Sequence, residues 1–553
     1  MEQIPSFNQY IEDSVIKFWD KDAFTDYKGA TLQFHDVARK IEKLHIMFEN
    51  SGVKRGDKIA LCGRNSSHWA VAFLATITYG AIAVPVQNEF TPEQIHNIVN
   101  HSESKLLFVG DVVCTQVNPE LMPALEGIIY LPDFSIVISR SEQLTFAREH
   151  LNEIFGKRYP KYFRKEHIHY YKEQSPEELA MINYTSGTTG FSKGVMLPYR
   201  ALWGNIDYVL KCLTPNVKPG SNLVSILPMA HMYGLAVEFL FGFINGCHLY
   251  FLNRMPSPSL IAEAFAEVKP RLIVAVPLVI EKIIRRKVLA EVQTNRMKLL
   301  LNMPVINKKI KQHIRDRIME AFGGNAFEII VGGAPLNQGI EEFLNSVGVP
   351  VTIGYGTTET APLITFANYD KYKIASCGPV VDHMEAKVVS PDPANVPGEL
   401  IARGMNVMLG YYKNEDATNA VLDKDGWFHT GDLATMAPSG HIYIKGRIKN
   451  MLLGANGQNV YPEEIEDKLN NMPLVGESII IQRDTKLIAL VHPEIEDKEA
   501  MDFDDDDVKG IMDENLKTLN NQLPPFCKIA AIEIQKEEFQ KTAKKSIKRY
   551  LYK

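Results

Sequence analysis

Residues 58–87 read KIALCGRNSSHWAVAFLATITYGAIAVPVQ, and this stretch carries the alternation that predicts the fold class. The run from Lys58 to Asn65 is short and apolar, as is typical of a buried strand, and the following residues predict a helix that ends at Gly80. A second strand-like run, AIAVPVQ, comes next. Because a strand, a crossover helix and a strand in this order form parallel sheet, the stretch indicates an α/β protein.

The same alternation extends along much of the chain. Thr91 is a predicted N-cap with Pro92 at the first helical position, and the strand KLLFVG follows this helix. Strand and helix runs resume in SNLVSILP, HLYFL, LIAEAFAEVKP, RLIVAVP and FEIIVGGAPL, and a helical stretch is expected from Leu278 to Phe322. These runs predict a large N-terminal domain of parallel and mixed sheets with covering helices.

The most apolar stretch begins at Leu235 and reads LAVEFLFGFINGCHLYFL. Glu238, two glycines and an asparagine interrupt it, and it is slightly shorter than a bilayer span of roughly 20 residues. We therefore interpret it as a buried helix that leads into a strand.

The pattern changes at about residue 380, where short strands separated by glycine turns predict a small β-barrel-like subdomain. After Arg447 the chain reads as a helix (YPEEIEDKLNN), a hairpin (ESIIIQRD and KLIALVHP), and a further helix and strand. This order predicts a small α+β C-terminal domain. The expected division is therefore residues 1–446 and residues 447–553.

Bulk properties narrow the class of protein. The chain has 553 residues, more than the roughly 250–300 at which a single core stops growing, so two or more domains are expected. A net charge of −6 gives no reason to expect nucleic acid as a partner. Six cysteines without a CxxC pair indicate free thiols in a reducing, cytoplasmic compartment, and they do not predict a metal site.

A loop rich in glycine and hydroxyl side chains, YTSGTTGFSKG, occupies residues 184–194. Glycines let backbone amides approach a ligand, hydroxyl groups donate hydrogen bonds, and a lysine adds positive charge, so the loop predicts polyphosphate binding. The alternative is a flexible surface turn, because the lysine does not precede Ser or Thr as in the common nucleotide loop. The candidate residues are Thr185, Ser186, Gly187, Thr188, Thr189, Gly190 and Lys193.

Further motifs follow this loop in a fixed order. They are LPMAHMYG (227–234), VGGAPL (331–336), GYGTTE (354–359), WFHTGD (427–432), KGRIKN (445–450) and YPEEIE (461–466). The series resembles the signature motifs of the adenylate-forming superfamily, which contains acyl-CoA synthetases, adenylation domains and luciferases. The resemblance covers nearly the whole chain and implies a C-terminal domain that is mobile.

The resemblance also implies roles for individual residues. The glycine-rich loop would hold the β- and γ-phosphates of ATP, and Lys449 would be the hinge of the small domain. Tyr355 would stack on adenine, Thr358 would bond the α-phosphate, and Glu359 would hold Mg²⁺. Asp432 would bind the ribose, and Arg447 would bind the ribose and phosphate. Gly332, Gly333 and Ala334 would contact adenine and the acyl entrance, with a tight packing turn as the alternative. His231 would meet the carboxylate of the acid, with a purely structural histidine as the alternative.

The C-terminal stretch QKTAKKSIKR (540–549) departs from the superfamily pattern. That pattern has a lysine that contacts the carboxylate and the α-phosphate, and the ungapped match places Ser546 there. A shift of one residue would bring Lys545 into the site, so Lys545 is the expected catalytic lysine. The alternative is that these lysines form a solvated tail.

The expected activity is a two-step ligation that uses ATP, Mg²⁺ and coenzyme A. A fatty acid of medium to long chain would become acyl-AMP and then acyl-CoA, since VPLVIEKIIRRK (276–287) and the following helical segment resemble fatty acyl-CoA synthetases. Three alternatives stay open: a fatty acyl-AMP ligase that feeds a carrier protein, a CoA ligase for an aromatic or other acid, and a non-catalytic nucleotide-binding homologue. A peripheral membrane contact is a further hypothesis, and a monomer or a homodimer is expected.

Overall fold

The computed structural model describes residues 4–173, 175–185, 193–284, 304–453, 459–483, 486–494, 505–541 and 547–552. Its first strands are β1 (Asp22–Asp26), β2 (Thr31–Gln33), β3 (Lys58–Cys62), β4 (Ile82–Val86), β5 (Ser104–Val109), β6 (Gly127–Tyr130), β7 (Ile136–Ser139), β8 (Leu179–Thr185), β9 (Lys193–Pro198), β10 (Asn222–Ser225), β11 (His248–Phe251), β12 (Leu272–Ala275), β13 (Glu328–Val331) and β14 (Val351–Ile353). The later strands are β15 (Tyr355–Gly356), β16 (Leu363–Thr365), β17 (Met384–Val389), β18 (Gly398–Gly404), β19 (Gly410–Tyr411), β20 (Phe428–Met436), β21 (Ile442–Arg447), β22 (Leu452–Leu453), β23 (Asn459–Val460), β24 (Val475–Arg483), β25 (Lys486–Pro493) and β26 (Ile529–Ile534).

The α-helices are α1 (Phe7–Lys17), α2 (Phe34–Asn50), α3 (Ser67–Tyr79), α4 (Pro92–Ser102), α5 (Asp111–Cys114), α6 (Glu142–Glu149), α7 (Leu151–Arg158), α8 (Tyr199–Leu213), α9 (Phe241–Ile244), α10 (Pro258–Val268), α11 (Pro277–Ile284), α12 (Pro304–Ala321), α13 (Gln338–Val347), α14 (Glu415–Asn419), α15 (Pro462–Asn470) and α16 (Asp505–Gln522). The helical stretch expected from Leu278 to Phe322 thus contains α11 and α12 in its described parts, while residues 285–303 lie outside the described residues.

Two large sheets form the N-terminal part. One has seven strands in the order β14-β13-β12-β10-β11-β1-β2, and the other has eight in the order β19-β9-β8-β4-β3-β5-β6-β7. Strand β3 pairs in parallel with both β4 and β5, which confirms the fold class expected from residues 58–87. The predicted ends of two helices are also found. Gly80 ends α3 at φ +86°, and Thr91 begins α4, where it forms a capping box with Gln94.

The apolar stretch after Leu235 has the expected form, with one difference. Its first part is a buried π-helix (Gly234–Leu240) that continues as α9 and then enters β11. This helix belongs to a large apolar cluster that contains residues of both large sheets, and a second cluster packs on the eight-stranded sheet. None of the described helices is long and apolar enough to cross a bilayer.

The chain after residue 380 forms smaller sheets. Strands β17, β18, β20 and β21 make a four-stranded antiparallel sheet. This sheet lies in the part of the chain for which a small β-barrel-like subdomain was expected. The short strand β19 leaves this unit and pairs with β9 at the edge of the eight-stranded sheet. Further on, β24, β25 and β26 form a three-stranded sheet with its own apolar core beside α15 and α16, as the α+β tail predicted.

Candidate active site

The motifs meet because they follow the ends of neighbouring parallel strands. Strands β10, β12, β13 and β14 run parallel, so their carboxyl ends lie at one edge of the seven-stranded sheet. The loop to His231 follows β10, the turn with Gly333 and Ala334 follows β13, and Tyr355 follows β14. Ligands of open α/β sheets bind at this edge, so the topology favours a single site.

A buried carboxylate forms the nucleotide end of the site. Strands β20 and β21 place Asp432 opposite Arg447, and the Asp432 side chain is 5% exposed. The Tyr355 hydroxyl donates to Asp432 Oδ2 at 2.5 Å, and Arg447 Nε forms an ion pair with Oδ1 at 2.7 Å. Burial raises the pKa of Asp432, and the charge of Arg447 opposes this effect. Three residues that the sequence assigned to adenosine are therefore in direct contact.

The polyphosphate end contains Glu359, Tyr411 and Lys193. Glu359 lies in a 3₁₀ turn (Thr358–Thr360), and its Oε1 accepts a 2.9 Å hydrogen bond from the Tyr411 hydroxyl. Lys193 Nζ lies 4.7 Å from the centroid of the Tyr411 ring, a cation–π distance. Tyr411 reaches this position because β19 pairs with β9, the strand that begins at Lys193. The side chain of Thr358 in the same turn is buried.

The carboxylate of Glu359 suits magnesium that is bound together with a phosphate. The described residues contain no group of three or more His, Cys, Asp and Glu side chains that could hold a metal alone. Magnesium commonly takes one or two carboxylates, with phosphate oxygens and waters as its other ligands. The single carboxylate of Glu359 fits that ligand set.

Strands β8 and β9 bring the two ends of the glycine-rich loop together. Thr185 ends β8 and pairs with Lys193, the first residue of β9, in antiparallel register. The predicted residues Ser186, Gly187, Thr188, Thr189 and Gly190 lie outside the described residues. Lys193, at the second of these ends, lies beside the ring of Tyr411.

The turn of His231 packs against the glycine turn after β13. The amide of Tyr233 donates to His231 Nδ1 at 3.3 Å, and the Tyr233 hydroxyl donates to the Ile330 carbonyl at 3.1 Å. A Cβ at Gly332 would lie 3.0 Å from the Tyr233 ring, and Gly333 has φ +83°. Glycine thus permits close packing here, while Gly333 and Ala334 stay exposed toward the site.

Lys449 and Lys545, the two lysines predicted near the C-terminal domain, have no described contact with the groups above. Lys449 is exposed in a 3₁₀ turn (Ile448–Asn450) that directly follows Arg447, where the chain enters the small C-terminal sheet unit. Lys545 and Ser546 lie outside the described residues. The roles of Lys449 and Lys545 stay predictions.

The motifs did not point to several residues that shape the site. Tyr411 contacts Glu359, Asn65 and Asn183 hold the loop before His231, and Glu238 binds the start of the same loop. Of these residues, only Glu238 could have been noticed in the sequence, because it is the single charged residue in the apolar stretch that begins at Leu235. The others are ordinary residues until the sheets are assembled.

Comparison with known proteins agrees with this geometry. The family described as AMP-binding enzyme matches residues 11–412, and the AMP-binding enzyme C-terminal domain matches residues 449–552. A long-chain-fatty-acid–CoA ligase of Escherichia coli O6:H1 is 30% identical over 508 residues, which cover 86% of this chain and 82% of the relative.

Solved structures show the same fold. The anthranilate CoA ligase AuaEII in complex with anthranoyl-AMP aligns with a TM-score of 0.79 at 17% identity, covering 99% of this chain and 97% of that one. ATP-bound MatB from Rhodopseudomonas palustris aligns with a TM-score of 0.75 at 23% identity, covering 99% and 98%. With both family domains matched over residues 11–412 and 449–552, the chain belongs to the AMP-binding enzyme family.

Proposed function

We propose that this protein is an AMP-forming ligase that joins a fatty acid of medium to long chain to coenzyme A. The observation that carries the proposal is the set of two polar contact groups that the motifs form. Asp432 with Tyr355 and Arg447 suits an adenosine, and Glu359 beside Lys193 suits magnesium and phosphates. The fatty-acid class is supported by the Escherichia coli relative, whose name states that substrate.

In the first step an oxygen of the fatty-acid carboxylate attacks the α-phosphorus of ATP. The bond between the α-phosphorus and the bridging oxygen breaks, and pyrophosphate leaves with that oxygen. Tyr355, Asp432 and Arg447 hold the nucleoside so that the α-phosphorus faces the acid. Thr358 donates to the α-phosphate, where charge develops.

The remaining charge in this step lies on the leaving group. Lys193 and the hydroxyl of Thr185 face the β- and γ-phosphates. Magnesium held by Glu359 would neutralise part of the phosphate charge when it is bound. His231 orients the carboxylate, and Lys545 supplies the positive charge expected from the C-terminal motif.

In the second step the thiolate of coenzyme A attacks the carbonyl carbon of acyl-AMP, the bond to the phosphate oxygen breaks, and AMP leaves. One face of the site cannot hold a lysine against the adenylate and admit a thiol together. The C-terminal part, residues 447–553, therefore turns about Lys449 between the steps. The division at Lys449 is part of this proposal.

The test measures the two steps separately. ATP–pyrophosphate exchange is followed with a panel of short, medium and long fatty acids and of aromatic acids, and thioester formation is then measured with coenzyme A or a purified carrier protein. Exchange with fatty acids and thioester formation with coenzyme A are expected. Exchange without acyl-CoA formation would show that coenzyme A is not the acceptor. A preference for aromatic acids would show that the substrate is not a fatty acid. ATP binding without exchange would show that the protein does not catalyse adenylation.

A further inference from the structure

Glu238 is a buried carboxylate that no step described above uses. It lies in the π-helix Gly234–Leu240 and is 1% exposed. Its oxygens accept hydrogen bonds from the Ser225 hydroxyl at 2.8 Å, the Ile226 amide at 3.1 Å and the Leu227 amide at 3.3 Å. An ionised group at this depth is strongly unfavourable unless it has such partners, so the position requires an explanation.

The three donors lie where β10 ends and the loop to His231 begins. The Ile226 and Leu227 amides lie just beyond Ser225, the last residue of β10, and the Glu238 carboxylate accepts from both. Glu238 thus fixes the direction in which the chain leaves the sheet. We define residues 226–231 as the histidine loop.

Asn65 holds the histidine loop from the neighbouring sheet. Its amide nitrogen donates to the Leu227 carbonyl at 2.6 Å and to the Ser225 hydroxyl at 3.0 Å, and its oxygen accepts from the Met229 amide at 2.9 Å. Asn65 follows β3 of the eight-stranded sheet. The loop is therefore bonded on both sides by side chains rather than by a strand.

Asn183 completes this set. Its side-chain amide donates to the Ala230 carbonyl at 2.9 Å, next to His231. Asn183 lies on β8, which ends at Thr185 and leads into the phosphate loop. The position of His231 is therefore linked to the strand that carries the phosphate-binding residues.

The π-helix that carries Glu238 is itself a feature typical of functional sites. The amide of Phe241 donates to the Ala236 carbonyl, a five-residue step that inserts one residue relative to an α-helix. Such insertions are uncommon and occur often at functional sites. Burial raises the pKa of Glu238 to about 8, while its hydrogen bonds favour the ionised form.

We infer that Glu238 is a positioning residue that acts through the histidine loop to hold His231 against the carboxylate of the acid. The role of His231 rests on the proposed function, whereas the contact between Glu238 and the loop does not. Glu238 is buried and bonded to the start of the histidine loop, so its removal is expected to change the rate of adenylation more than the binding of ATP.

The first test is Glu238→Gln. The glutamine NH₂ group would face a backbone N–H where the carboxylate oxygen accepted, so one loop amide loses its partner. We expect kcat for ATP–pyrophosphate exchange to fall about 10- to 100-fold, because misplacement by about 1 Å has effects of this size, with KM for ATP changed less than about twofold. In a His231→Ala background the same substitution should cause little further loss, since residues that act together are not additive.

Glu328→Gln is the matched control. Glu328 is also a fully buried carboxylate of the seven-stranded sheet, and it accepts a 2.9 Å hydrogen bond from the Thr352 hydroxyl. It begins β13, so it lies at the amino end of the parallel strands, opposite the site. We expect its kinetic constants to match the wild type, and an equal loss in both variants would show general destabilisation and overturn the inference.

Amide hydrogen exchange provides a readout that does not depend on activity. Exchange of at least one of the two amides, Ile226 or Leu227, should accelerate at least about tenfold in Glu238→Gln, whereas both should stay unchanged in Glu328→Gln, because only the first variant removes an acceptor from this pair. Unchanged exchange in Glu238→Gln would overturn the inference even in an active enzyme. Absence of pyrophosphate exchange in the wild type would instead refute the proposed function.

Discussion

The hydroxyl of Tyr355 lies 2.5 Å from Oδ2 of Asp432, and this hydrogen bond joins two motifs that are distant in the sequence. Tyr355 follows a parallel strand of the seven-stranded sheet, while Asp432 lies in the antiparallel sheet that comes later in the chain. The bond fixes the orientation of the ring that is expected to contact adenine. It also joins the two sheets at the nucleotide end of the site.

Tyr355→Phe tests that bond. Hydrogen bonds to charged groups commonly contribute about 1.5–3 kcal/mol, so loss of the hydroxyl should raise KM for ATP about tenfold and change kcat little. Tyr27→Phe is the control, because the Tyr27 hydroxyl also donates to a carboxylate, Glu267, at 2.6 Å. That bond joins the residue after β1 to helix α10, and β1 lies near the other end of the seven-stranded sheet from β14. The KM for ATP is measured by pyrophosphate exchange, and equal values in the two variants would contradict the prediction.

Asp432→Asn should weaken the enzyme more strongly. It removes the negative charge that pairs with the Arg447 guanidinium at 2.7 Å, and it leaves one acceptor oxygen where two were expected to bind the ribose. We expect kcat/KM for ATP to fall about 10²- to 10³-fold, in the range found when charge-stabilising donors are lost. Circular dichroism and thermal unfolding would check that the variant is folded, and a folded variant with wild-type kcat/KM would refute the assignment.

Glu359→Gln should change the magnesium requirement. A neutral amide is a poorer ligand for a hard cation than a carboxylate, so the half-saturating Mg²⁺ concentration should rise about tenfold or more. Tyr411→Phe removes only the 2.9 Å hydrogen bond that orients Glu359, and its effect should be in the same direction and smaller. Magnesium titrations at saturating ATP measure both variants, and an unchanged requirement in Glu359→Gln would exclude Glu359 as the ligand.

Lys545→Ala tests the C-terminal lysine that the sequence predicts. If this lysine reaches the α-phosphate, pyrophosphate exchange should fall about 10²- to 10³-fold. Transfer from supplied acyl-AMP to coenzyme A should change much less, because the lysine acts before the turn of the small domain. Wild-type exchange in the variant would mean that another residue carries the charge.

The buried side chain of His45 should make the protein less stable at acid pH. Its ring is buried with Nε2 3.0 Å from the Ala75 carbonyl, and burial lowers its pKa from 6.5 to about 4. The unfolded chain therefore binds a proton that the folded chain does not, so this stabilisation is complete above pH 6.5 and is lost as the pH falls toward 4. The resulting loss in the free energy of unfolding is about 3 kcal/mol, because each unit of pKa shift corresponds to about 1.4 kcal/mol.

The matched variant is His45→Gln, whose amide can donate to the same carbonyl without titrating. The melting temperature of the wild type should fall more steeply than that of the variant between pH 6.5 and 4. Thermal unfolding at several pH values measures this difference. Parallel curves would show that His45 does not carry the effect.

Much of the architecture could be predicted from the sequence, because the signals that define it are local. The end of α3 at Gly80 and the start of α4 at Thr91 each depend on backbone groups within one helical turn. The alternation of strand and helix runs then permits few arrangements other than parallel sheet. The ordered motifs identified Tyr355, Glu359 and Asp432 as candidate nucleotide ligands before any contact between them was known.

The sequence therefore determined the order of the elements, the α/β class and the candidate residues of the nucleotide site. Only the tertiary structure decided which side chains meet, such as Tyr411 with Glu359 or Glu238 with the histidine loop. These pairs depend on the register between strands and on the packing of one sheet against another, and no local pattern contains that information. Buried polar groups need partners, but the sequence does not state which groups the assembled sheets will place within hydrogen-bonding distance.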